Sequence, residues 1–153
     1  NKEIIVGVVY NPFSDELFFA SKGNGAFLNG KLITVSSKTK IENGLYVVAF
    51  SSDAGKDKKK EYNIFGRLND TTRGVLRLGS AALALAYLAC GRIEGFWARG
   101  LYPWDIAGGW SWVNEAGGEA TDENGALHLL ESKILIASNS HIHDHLIENL
   151  TNL

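Results

Sequence analysis

The chain has 153 residues, 45% of them hydrophobic and 21% charged, which fits one folded domain and excludes a disordered or low-complexity chain. A formal net charge of -2 gives no electrostatic case for nucleic-acid binding. The longest apolar stretch, Ala81 to Cys90, is too short to cross a bilayer, and a lone cysteine excludes an internal disulfide and favours a reducing, cytoplasmic setting.

The first third reads as antiparallel strands. Glu3 to Tyr10 is rich in β-branched residues and ends at Asn11-Pro12. Glu16 to Ala20 is a second strand, and Gly23-Asn24-Gly25 turns the chain into a third, Ala26 to Leu28. Asn29-Gly30 then predicts a tight hairpin, because a type I′ turn needs positive φ at both central residues. Lys31 to Val35 completes it. A chain that contains no Met and begins almost inside a strand reads as part of a longer protein, with the first strand expected at an unpaired edge.

After Ser36 the pattern alternates strand and helix. Leu45 to Phe50 is an apolar strand. Asp57 to Asn69 has Tyr62, Phe65 and Leu68 at helical spacing, and Lys56 to Lys60 is a basic run expected to be solvated. Thr72 to Leu78 reads as a strand, and Gly79-Ser80 opens a helix of high propensity over Ala81 to Cys90, ended by Gly91. Ile93 to Trp97 is a strand and Asp105 to Ala116 a helix closed by Gly117-Gly118. Ile134 to Ala137 is a strand, and Ser140 is expected to cap a last helix to Leu150. Residues 1–36 and 37–153 are therefore two parts: antiparallel strands, then an α/β layer.

Asp105 is the most informative polar residue. A carboxylate at a helix start can be a plain N-cap, favoured by the helix dipole, or a ligand to a hard metal such as Mg²⁺. Spacing leaves both open. Gly79, Ser80 and Ala81 can likewise be a simple glycine-assisted helix entry or a set of exposed N–H groups facing a ligand. His141 and His145 fall on one helical face as a possible zinc pair, without an evident third ligand. Trp110 and Trp112 cannot share one helical face, so one of them is expected against a partner subunit. Asp15-Glu16 and Asp122-Glu123 are acidic pairs expected at solvated turns.

Five segments, in order, resemble the inositol monophosphatase family. Gly7-Val8-Val9-Tyr10-Asn11-Pro12 is similar to its G-V-[VI]-Y-x-P strand, and Gly23 to Gly30 to G-x-G-A-[FY]-x-N-G. Leu78-Gly79-Ser80-Ala81-Ala82 is similar to [SL]-G-[ST]-A-A. Pro103-Trp104-Asp105-Ile106-Ala107-Gly108 is similar to the signature W-D-x-A-[AG], followed by Glu115-Ala116-Gly117-Gly118. The resemblance implies an α+β chain forming the later half of the layered αβαβα sugar-phosphatase fold: antiparallel strands, then a mixed sheet flanked by helices. It implies Mg²⁺-dependent hydrolysis of a phosphate monoester of inositol or a related sugar or polyol, in a homodimer. Asp105 would bind a metal and touch the substrate near the ester oxygen, and Gly79, Ser80 and Ala81 would lie against its hydroxyls.

Two departures limit what the resemblance carries. The family's E-E segment and its D-P-[IL]-D-G-T loop, which supply most metal ligands, have no match here, so this chain alone is expected to be inactive. Ala98 stands where inositol-specialised members often carry Glu, so inositol-1-phosphate is one candidate beside histidinol, nucleotide and fructose phosphates. Two other readings stay open: a regulatory protein binding the transcription machinery, and a folded but inactive portion.

Overall fold

The computed structural model describes residues 4–50, 58–128 and 132–151. The first part is a four-stranded antiparallel sheet in sequential order: β1 (Val6–Asn11), β2 (Glu16–Ser21), β3 (Gly25–Leu28) and β4 (Lys31–Ile33). Asn29 and Gly30 sit at φ 49° and 77°, as the expected hairpin requires. The last strand is shorter than expected because Val35 leaves the sheet: its N–H donates to the Ala116 carbonyl at 3.1 Å.

The second part is a five-stranded mixed sheet. After a 3₁₀ turn (Ile41–Asn43) come β5 (Leu45–Phe50), α1 (Lys58–Thr71), β6 (Gly74–Leu76) and α2 (Ala81–Ala89). Then follow β7 (Gly95–Arg99), α3 (Pro103–Glu115), β8 (Glu119–Thr121), β9 (Ile134–Ser138) and α4 (His143–Thr151). The strand order is β6-β5-β7-β9-β8, with β5 parallel to β6 and β7, and β9 antiparallel to β7 and β8. Such two-sided burial suits the continuous apolar runs in β5 and β9.

Three apolar clusters stack the layers. Phe18, Ala20 and Ala26 of the first sheet meet Ala86, Ala89, Trp112 and Ala116 of α2 and α3. The opposite side of those helices packs on Val47, Phe96, Leu135 and Ala137 of the second sheet. The far face of that sheet, with Tyr46, Val48, Trp97 and Ile136, is covered by Ile64 and Leu68 of α1 and Leu146 and Leu150 of α4. The order is thus sheet, helices, sheet, helices, with α2 and α3 sandwiched. β1 is an edge strand, and the outer face of the first sheet exposes Val6, Val8, Tyr10, Leu17 and Leu32.

Several expectations are corrected. The strand expected over Thr72 to Leu78 pairs only over Gly74–Leu76, and the one expected over Ile93 to Trp97 lies at Gly95–Arg99, in register with β5. The helix around Asp105 begins at Pro103, and Tyr102 is its N-cap, so Asp105 is the third helical residue. Proline suits the first turn because its missing N–H would be unpaired there anyway. Ser140 is not the expected side-chain cap: it sits at φ 65°, and its carbonyl accepts from His143 N–H at 3.4 Å. Glu16 is not in a solvated turn but opens β2 and pairs with Arg92, which holds its carboxyl below the usual range. Of the two tryptophans expected on different faces, Trp112 is fully buried, and the half-buried Trp110, on the second cluster, is the one with surface left to meet a partner. Cys90 is half-buried at the end of α2, as a small packing residue. Glu3 of the first expected strand, and Lys56 and Asp57 of the basic run and helix start, lie outside the described residues.

The C-terminal end of α3 is tied to the first sheet by Glu115. Its two oxygens accept from Gly23 N–H at 2.8 Å and Gly25 N–H at 3.0 Å. Glu115→Ala should cost about 1–2 kcal/mol, because it orphans two backbone donors, one of them part-buried. An unchanged urea midpoint would show that water replaces the carboxylate.

Candidate functional site

The cleft lies at the carboxyl ends of parallel strands, the usual place for ligands in open α/β sheets. It has a volume of about 680 Å³ and three walls. Val48 to Phe50 come from the end of β5. Arg77, Gly79 and Ser80 come from the link between β6 and α2, and Ala81 and Ala82 from the first turn of α2. Leu101 comes from the link between β7 and α3, and Trp104 and Asp105 from the first turn of α3. All four residues singled out in the sequence, Gly79, Ser80, Ala81 and Asp105, meet here.

The helix entry follows from local chemistry. Gly79 takes φ 78°, a region open to glycine without strain. Ser80 is the N-cap in extended geometry, and its Oγ accepts from Leu83 N–H at 3.2 Å while its carbonyl accepts from Ala84 N–H. The N–H groups of Ala81 and Ala82 occupy the first helical positions, which have no acceptor within the helix. They stand at the positive end of α2, suited to an anion.

Asp105 is half-buried on the facing wall. Its Oδ2 accepts from Tyr102 N–H at 3.0 Å, and its own N–H donates to the Tyr102 carbonyl at 3.0 Å. One carboxylate oxygen is thus held by the helix start, which orients the group, and Oδ1 is available to a ligand. The two readings left open by the sequence, capping and ligation, are compatible in this geometry.

Neighbours that the sequence did not reveal complete the cleft. The Arg77 guanidinium lies 4.7 Å above the Phe50 ring. Trp104 is 76% exposed and stacks on Tyr102 at 4.7 Å with an interplanar angle of 8°. That indole differs in this from Trp97 and Trp112, which are buried. Nothing in the local sequence distinguishes these cases. Ala98 is buried in β7 and does not line this cleft.

Among the described residues the cleft is incomplete as a metal centre. Mg²⁺ takes six oxygens in near-octahedral geometry and keeps several waters. Asp105 fits as one carboxylate ligand, but among the described residues no three His, Cys, Asp or Glu side chains converge. The proposed zinc pair also fails. His141 lies in a turn before α4, not on its face, and His145 is on the exposed surface near Glu148. The structural histidine is His143, fully buried, with one ring nitrogen 2.8 Å from Thr121 Oγ1 and the other 2.8 Å from Ser138 Oγ.

Burial pushes the His143 pKa below its ordinary value, and Glu119 and Asp144 only partly offset this. Burial does the same to His128. Both are held neutral in the fold, whereas the unfolded chain binds protons below about pH 6.5. Stability should therefore be level above that pH and fall as the pH drops from there toward the lowered folded values, by at most about 1.4 kcal/mol per pH unit per histidine. Urea midpoints at pH 7.5 and 5.5 check this; in His143→Gln the difference should shrink, and an equal difference would remove His143 from the effect.

The sequence profile described as the inositol monophosphatase family matches residues 1–153. The chain is 42% identical over 145 residues to an inositol-1-monophosphatase of Synechocystis, covering 95% of this chain and 50% of that protein. It is 37% identical over 145 residues to the Nus factor SuhB of Escherichia coli, covering 95% and 54%. Its fold superposes on the inositol monophosphatase structure from Anabaena with a TM-score of 0.92 at 40% identity, covering 97% of this chain and 59% of that one. The chain thus spans roughly half the length of the relatives it matches.

Proposed function

The chain belongs to the inositol monophosphatase family, and from that premise we propose that it is the later half of a Mg²⁺-dependent phosphomonoesterase acting on inositol-1-phosphate or a related sugar or polyol phosphate. The observation that carries this is the convergence of the α2 N-terminus and Asp105 on one cleft. In this reading Ala81 and Ala82 N–H groups and the Ser80 segment receive the substrate's oxygen-rich body. Asp105 contributes one metal ligand and touches the substrate near the ester oxygen. When bound, Mg²⁺ would activate water and neutralise phosphoryl charge. The residues of this chain bind and orient; the further ligands that this reading requires are assigned, in the longer parent protein it proposes, to the half of the relatives' length that this chain does not span.

The outer face of the first sheet supports the same division. Val6, Val8, Tyr10, Leu17 and Leu32 make one apolar face, too continuous to be left in water. It suits residues 1–36 as part of a larger sheet covered by a further layer in the parent, with residues 37–153 as the α/β layer. A homodimer and a cytoplasmic setting belong to the same reading; among the described residues no helix is long and apolar enough to cross a membrane.

The test is phosphate release from inositol 1-phosphate and 2′-AMP, with and without Mg²⁺. Turnover is expected from the parent with Mg²⁺ and none from the 153-residue chain. Magnesium-dependent turnover by the short chain would overturn the division of ligands. The relatives named Nus factor favour a second reading, a regulatory protein binding the transcription machinery. A parent that binds transcription factors but releases no phosphate would favour it.

A further inference from the structure

We propose that Glu61 is a positioning residue for the cleft: its carboxylate locks the outgoing end of β7 and so sets where the following link delivers Asp105. The inference rests on the cleft being the active site, as proposed above.

Glu61 lies in the first turn of α1 and is 1% exposed. Its Oε1 accepts from Arg99 Nε at 2.5 Å and its Oε2 from Trp97 Nε1 at 3.2 Å. Trp97 and Arg99 are alternate residues on one face of β7, paired in register with Val48 and Phe50 of β5, both of which line the cleft. One carboxylate therefore grips the last turn of the pleat before β7 ends. Gly100 follows at φ 72°, with its N–H donating to the Lys133 carbonyl at 2.9 Å. Leu101 is already a cleft wall, Tyr102 is the helix cap, and Asp105 is three residues further. A short link leaves little room to absorb an error in the position of Arg99.

Stability alone does not account for the pair. Well-packed apolar side chains commonly hold such a site as well or better, since burying charge is costly. What a bidentate, charge-assisted carboxylate adds is one geometry. Packing holds the Trp97 ring among Ile64, Ile136 and Leu150, but it leaves a cavity of about 210 Å³ beside the pair, lined by these side chains together with Lys60, Glu61, Arg99 and Glu123, so the Arg99 end depends on the carboxylate.

The experiment compares Glu61→Gln and the paired Glu61→Leu/Arg99→Met variant with wild type, in two readouts. Hydrogen exchange of the 153-residue chain follows the four amides in 101–105, those of Leu101, Tyr102, Trp104 and Asp105 (residue 103 is proline), against those of β9 as an internal standard. Phosphate release by the parent gives kcat and KM. The paired variant should keep the β9 protection, while amides 101–105 exchange on the order of tenfold faster and kcat falls on the order of tenfold or more at nearly constant KM. Wild-type exchange at 101–105 in the paired variant, or faster exchange with unchanged kcat, would overturn the proposal. If Glu61→Gln fails to fold, the paired variant still decides. If the wild-type parent releases no phosphate, the proposed function fails, whereas the exchange readout continues to judge the positioning.

Discussion

In the longer protein proposed above, the parent, Asp105→Asn should lower kcat on the order of 10²–10³-fold while the protein stays folded. In the proposed reading Asp105 would help hold a metal ion that supplies several kcal/mol of transition-state charge stabilisation, and each 1.4 kcal/mol or so is a factor of ten in rate. The amide keeps an oxygen that can accept from Tyr102 N–H, so the helix start survives. What is lost locally is the charge–dipole interaction near the start of α3, worth about 0.3–1 kcal/mol. The expected signature is therefore a small change in melting temperature with a large change in turnover. Full activity in the variant would remove Asp105 from the mechanism; unfolding would mean that its role is structural.

Gly7→Ala should be among the most damaging single substitutions for the fold. An added Cβ would stand 2.5 Å from the Gly108 carbonyl oxygen and 2.4 Å from Trp112 Nε1. The carbonyl belongs to the α3 backbone and cannot rotate away, so β1 must separate from α3. Overpacking of this kind costs about 1–3 kcal/mol, and the backbone clash argues for the upper end. For a chain of this size the melting temperature should fall by about 6–12 °C. Gly66→Ala is the control: it lies in the middle of α1, with nothing within 4 Å of the new Cβ. It should raise stability by roughly 0.5–1 kcal/mol. Equal effects at the two glycines would contradict the close approach of β1 to α3.

Much of the fold was legible because its punctuation is local. Asn29-Gly30 needs a particular backbone and takes it, and Gly79-Ser80 carries its own cap. The spacing places Asp105 first in its helix, yet the helix starts at Pro103; proline's fitness for that position is the local signal for the true start. Ser140 looks like a cap in the sequence because a serine ahead of a helical segment does so whether or not its φ is negative. β8 went unseen: three residues after two glycines carry no periodicity. The site was half legible. Gly79 to Ala81 and Asp105 stood out through motifs similar to a known family, but their walls did not. Arg77 over Phe50 and the Glu61–Arg99–Trp97 contact join segments far apart in sequence, and no local pattern encodes such pairs. Trp104 is exposed because it stands in the first turn of α3 beside the cleft, whereas Trp112, about two turns further on and toward the same side, packs under the first sheet.

The central claim is that one cleft, formed by residues 79–82 and Asp105, receives a phosphate monoester together with Mg²⁺. Amide chemical-shift mapping of the full-length parent, titrated with inositol 1-phosphate in the presence of Mg²⁺, tests it most directly. The largest shifts are expected at Gly79, Ser80, Ala81, Ala82 and Asp105, and they should be lost when Mg²⁺ is withdrawn. Saturable shifts confined to other surfaces, with these five amides unmoved, would contradict it.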